Sequence, residues 1–211
     1  MMRIVPLLPS SGPPDPWRSF PAVELAWTGT LHPGWLQPGP QVHALHLPWQ
    51  PWGPDLGETA LAALRPRLGA DFLVLRAGLP DSRAEHSASM AVLEGLLEVA
   101  QGEGQKLVLR PLPGAAPGLV RQLREARGEA VGFCWDAGAG GDLASFEDRL
   151  FCAVGEPGDD FQPIQALGYR WNLAIPAGDP DTLRQAQAEI ERDFPPVLFP
   201  QPNPRDPLER P

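Results

Sequence analysis

The chain is short of the residues that staple a fold, anchor it in lipid or carry it onto nucleic acid. Its 211 residues include two cysteines, one tyrosine and three methionines. Cys134 and Cys152 both sit inside apolar runs, so they read as small buried thiols of a reducing cytoplasm rather than as a disulfide. Basic residues are few, 17 against 26 acidic ones, which gives a formal net charge of −9 and a pI near 4.9. Such a field repels nucleic acid and anionic membrane surfaces, and neither is expected as a partner. No apolar run approaches the roughly 18 residues of a membrane span, and no basic segment precedes an apolar one as in a signal peptide. The expectation is a soluble cytoplasmic protein, large enough to bury a core in one domain.

Proline and glycine are abundant, at 28 and 22, but they are not periodic, and strong apolar runs lie between them. That pattern predicts a folded domain with tight, rigid loops rather than a disordered chain. The apolar runs are Met2–Leu8, Pro21–Trp27, Val42–Leu47, Asp71–Ala77, Lys106–Arg110, Ala130–Asp136, Arg149–Val154 and Trp171–Pro176. Most are nearly continuous in apolar character and too short for buried helices, as strands covered on both faces should be. Helices are expected from Asp55, with Glu58 completing a capping box, to Arg67, then over Ser82–Gln101 and Pro117–Arg127, and from the Asp179–Pro180 cap to Asp193. Asp142–Asp148 and Phe161–Leu167 allow a turn or two. Pro9–Ser19 and Gly29–Pro40 hold too many helix breakers, so the first two connections should be irregular loops. Strand, crossover, strand repeated eight times predicts a compact, irregular (β/α)8 TIM barrel over 1–194, with some helices replaced by Pro/Gly-rich loops, followed by a Pro-rich tail over 195–211.

In such a barrel the active site is built at the C-terminal strand ends. Lys106–Arg110 and Val131–Asp136 each finish on one charged residue followed by a Pro- or Gly-rich turn. By period-two alternation Asp136 shares a face with Cys134 and Gly132, Arg110 with Val108, and Arg76 with Val74 and Phe72. Two cations and one anion should therefore meet at the barrel mouth. The plainer reading is an internal Arg–Asp–Arg ion cluster; the functional reading is a guanidinium fork on a phosphate or carboxylate ligand. His46 ends the third strand, where a tunable base is often found, with His43 expected on the opposite face. Glu24 lies inside the second strand, suited to an arginine partner across the barrel or to general-base work. Trp27 and Trp49, with Trp35 and Trp52, cluster at the ends of strands two and three, where they could stack on a ligand or plug space left by missing helices. The glycine run Gly138–Gly141 follows strand six and offers amides to an anion. Nucleophile-elbow, phosphate-loop and zinc-helix motifs are absent from the sequence.

From Leu68 onward these runs resemble the xylose isomerase-like barrel superfamily of sugar phosphate isomerases and epimerases and related endonucleases. LGADFLVLRAG is similar to that group's fourth strand, KLVLRPLPG to its fifth, VGFCWDAGAG to its sixth, and RLFCAVGEPGDDFQPIQALGYRWNLAIP to the stretch from strand seven through eight. FPAVELAW and VHALHLPW resemble strands two and three. The resemblance implies a divalent metal held by glutamate, aspartate, histidine and glutamate at the ends of strands five to eight. The matching positions here are Arg110, Asp136, Cys152 or Val154, and Pro176, so only the aspartate is kept. The histidines common after the strand-six aspartate and on strand four correspond to Ala139 and Arg76, whereas His46 stands where the family often has a histidine. One carboxylate beside an arginine cannot hold a divalent cation, so neither a metal nor any other cofactor is expected.

The sequence thus points to a divergent barrel without the family metal site, non-catalytic or binding a small anionic, sugar-like ligand through Arg76, Arg110, Trp27 and Trp49. The alternatives are an active sugar phosphate isomerase or epimerase using Asp136, His46 and Glu24 in a rearranged site, and a scaffold whose Trp- and Pro-rich loops bind a protein partner.

Overall fold

The structure, a computed structural model, describes residues 2–51, 53–76, 83–112, 131–139, 143 and 149–195. Each expected apolar run forms a strand: β1 (Arg3–Pro9), β2 (Ala22–Ala26), β3 (Gln41–His46), β4 (Phe72–Arg76), β5 (Lys106–Arg110), β6 (Val131–Asp136), β7 (Leu150–Val154) and β8 (Asn172–Pro176). They pair in chain order, all parallel, and close when β1 meets β8. This is a closed eight-stranded parallel barrel with helices between strands, the (β/α)8 architecture.

Alternation sorts the strand residues into two cores. Outward-facing Leu25, Leu45, Leu73, Leu107 and Leu109 are each at most 1 % exposed and pack against the surrounding elements. Each such leucine contributes on the order of 1.5–3 kcal/mol relative to leaving it in water. Inward-facing Ala44, Val74, Val108, Cys134, Cys152 and Ala174 fill the narrow barrel with small side chains. Its floor, at the N-terminal strand ends, is aromatic: Phe151 stacks on Phe72 with centroids 5.6 Å apart, and the Lys106 ammonium lies 4.7 Å from the Phe151 centroid. A Cβ at Gly132 would overlap the Phe151 ring, so glycine at this strand position makes room for it.

The connections are uneven, as the breakers dictate. Helix α1 (Pro54–Leu64) starts one residue earlier than the expected Asp55–Glu58 box, with Gly53 as N-cap, Pro54 at its first position and no side-chain cap; the fixed proline φ replaces the capping bond. Helix α2 (Arg83–Gly102) and the short α3 (Gln162–Ala166) lie where expected. In α4 (Pro180–Asp193), Asp179 caps as predicted, accepting from the amides of Asp181 at 3.0 Å and Thr182 at 2.9 Å. The first two connections hold one 3-10 turn each, at Asp15–Trp17 and Pro33–Leu36, because proline still permits a single turn where a longer helix fails. Trp17, Trp27 and Trp35 are buried in the outer core where those crossovers lack helices. Trp35 Nε1 also donates to the Gly12 carbonyl at 2.9 Å, tying the two loops together. The helix expected over Pro117–Arg127 and the tail beyond Pro195 lie outside the described residues.

No helix among the described residues is long and apolar enough to cross a membrane.

Candidate functional site

Pairing between β2 and β3 slips by one residue: Val23 faces Val42, but Glu24 faces Ala44. The extra residue is His43. A bulge re-aims the side chains beside it, so His43 does not point away from His46 as strict alternation predicts. Both rings reach Glu24 inside the barrel, His43 through Nδ1 at 3.1 Å from Oε1 and His46 through Nε2 at 2.6 Å from Oε2. Glu24 is fully buried, so its expected arginine partner is replaced by two imidazoles. Burial pushes its pKa up, but hydrogen bonds and charge from His43 and His46 outweigh this and hold it below its ordinary value. An ionised carboxylate only accepts, so both ring nitrogens that face it are donors. The second nitrogen of His46, Nδ1, is buried and has no hydrogen-bond partner among the described residues.

Across the mouth, Arg110 Nε donates to Asp136 Oδ2 at 2.8 Å, with both side chains less than a fifth exposed. The other carboxylate oxygen, Oδ1, accepts the Gly138 amide at 3.1 Å. That amide, the first of the glycine run, is therefore already engaged, while Gly140 and Gly141 lie outside the described residues.

Arg76 stands in direct register with Arg110 on the neighbouring strand. It does not join the Arg110–Asp136 pair, and its Nε is buried with no partner among the described residues. Among the described residues the mouth thus holds one ion pair and one arginine whose buried Nε has no partner.

Trp27 is 7 % exposed and belongs to the outer core, away from the barrel interior, whereas Trp49 is 53 % exposed just past β3. Cys134 and Cys152 face each other in register inside the barrel, and burial drives both thiol pKa values well above the usual range. Neither is a poised nucleophile.

No protein-family profile matches the chain, and no curated protein matches it by sequence. Solved structures do match. An AP endonuclease of family 2 from Brucella melitensis superposes with a TM-score of 0.69 at 12 % identity, over 91 % of this chain and 99 % of that one. A 3-keto-D-glucoside 4-epimerase from E. coli gives 0.66 at 15 %, over 91 % and 100 %. A xylose isomerase domain protein from Planctomyces limnophilus gives 0.62 at 14 %, over 90 % and 94 %. The chain has the xylose isomerase-like barrel fold.

Within that fold the implied metal can be tested against the residues present. The ends of β5 to β8 offer Arg110, an aspartate already bound by that arginine, Val154 and Pro176. Among the described residues no three histidine, cysteine, aspartate or glutamate side chains gather as a metal group. The described residues at these strand ends do not fit a divalent cation, because the one carboxylate among them is bound by a guanidinium.

Sequence reasoning located Glu24, His46, Arg76, Arg110 and Asp136 but missed that His43 joins Glu24. The only signal was Glu24 itself, a charge inside an apolar strand that demands buried partners.

Proposed function

We propose that this xylose isomerase-like barrel lacks the family metal site and binds a small anionic, sugar-like ligand at its C-terminal mouth. The observation that carries this reading is the buried, unpartnered Nε of Arg76 beside Arg110, whose own charge is taken by Asp136. A buried guanidinium N–H with no partner is costly, and a phosphate or carboxylate offers it a charge-assisted bond. The narrow interior, floored by Phe72 and Phe151, supports a small ligand seated at the rim rather than a long one threaded inward.

The test pairs elemental metal analysis, after incubation with manganese and zinc, with thermal unfolding in rising inorganic phosphate. The expected result is no stoichiometric metal and a phosphate-dependent rise in Tm that disappears in Arg76→Gln. Near-stoichiometric metal, or a Tm indifferent to phosphate in the wild type, would overturn the proposal.

A further inference from the structure

The mouth contains a second unmet demand, of opposite character to that of Arg76. His46 is 4 % exposed, and Glu24 accepts from its proton-bearing Nε2 at 2.6 Å. With Glu24 ionised and only able to accept, Nε2 carries a proton, and whenever the ring holds that proton alone its Nδ1 presents a lone pair. That lone pair is buried and meets no donor among the described residues. His46 pairs in register with Val74, so Arg76 lies one inward-facing step further toward the rim on the adjoining strand. A buried acceptor, His46 Nδ1, and a buried donor, Arg76 Nε, therefore stand on neighbouring strand ends, each without a partner among the described residues.

The geometry points to His46 as the specificity-determining acceptor for a ligand hydroxyl, with the ligand's anionic group on Arg76 and Glu24 as the positioning residue that fixes the imidazole tautomer. The ligand class is a hydroxylated anion, whether carboxylate or phosphate, with its O–H donating to Nδ1. The assignment rests on the proposed anion binding and narrows it. A site built to receive a hydroxyl discriminates sharply against an analogue that lacks one, since the analogue leaves the buried acceptor unpaired. His43 has no such role, since its contact with Glu24 serves to complete the carboxylate's hydrogen bonding on the opposite oxygen.

The experiment is calorimetric titration of the full chain with four probes: glycerate and propionate, glycerol 3-phosphate and propyl phosphate. Within each pair the hydroxylated anion is expected to bind at least about 10-fold more tightly, and the difference between pairs shows which anionic group Arg76 prefers. His46→Leu, made on a Glu24→Gln background so that no buried carboxylate is stranded, removes the acceptor. It should retain the binding of propionate and propyl phosphate and bring both ratios to about one. Nitrogen-15 NMR of the wild type gives an independent reading: His46 should carry its proton on Nε2, and Nδ1 should shift when glycerate or glycerol 3-phosphate is added. Equal binding within both pairs, unchanged ratios in the variant, or a proton on Nδ1 in the free protein would overturn the assignment while leaving anion binding intact. Failure of all four anions to bind would sink both readings.

Discussion

Two strands that stand opposite each other in the barrel, β3 and β7, use the same device for opposite ends. Each inserts one extra residue into its ladder, His43 where Glu24 pairs with Ala44 and Phe151 where Cys134 pairs with Cys152. Each bulge turns its extra side chain inward. In β3 that side chain is polar and completes a buried carboxylate; in β7 it is aromatic and fills the floor beside Gly132. One half of the interior is thus held by hydrogen bonds to a buried carboxylate and the other by filled volume. The first should be sensitive to lost partners and tolerant of shape, the second the reverse.

Breaking the polar half should cost most. Glu24→Ala strands two buried imidazoles, with an expected loss of about 3–5 kcal/mol in urea unfolding, while Glu24→Gln, which keeps an acceptor, should lose less. In the apolar half, Gly132→Ala drives a methyl into Phe151 and should cost about 1–3 kcal/mol. Adding Phe151→Leu to Gly132→Ala should recover part of that loss. The same second change added to Glu24→Ala should simply add to it, and a double-mutant cycle separates the two halves. Asp136→Ala should cost about 1–3 kcal/mol by leaving Arg110 unpaired, yet enlarge the rise in Tm with phosphate, since a second guanidinium becomes available.

Acid sharpens the comparison further. The folded-state pKa of Glu24 is depressed, so its contribution is fully present above the ordinary carboxylate range and is lost as pH falls through the depressed value. Wild-type stability should therefore fall more steeply on acidification than that of Glu24→Gln, as measured by urea midpoints over a pH series. The smallest effect belongs outside both halves: exposed Trp49→Ala should change stability by no more than about 0.5 kcal/mol.

The barrel was legible because strands buried on both faces leave continuous apolar runs, and breakers fall between them. Arg110 and Asp136 could be placed on one face because alternation is strict in β5 and β6 away from the bulges. Alternation failed at His43, because a bulge is a property of the pairing between two strands and leaves little trace in either one alone. Gly132 was a written clue to the other bulge, at Phe151, since a glycine inside a strand marks a close approach by something bulky. That Arg110 rather than Arg76 takes Asp136 follows from strand order, since β5 adjoins β6 and β4 lies one strand further away.

The pairing of β1 with β8 has a kinetic consequence. The ladder from Arg3–Asn172 to Leu7–Pro176 joins the two ends of the described chain, so the ring cannot shut until its last strand is available. Until then the growing sheet carries two open edges, at β1 and at whichever strand was most recently added, and both can template pairing with another chain. Closure removes both at once. Aggregation during synthesis should therefore depend on how quickly β8 finds β1, rather than on any exposed surface of the finished barrel.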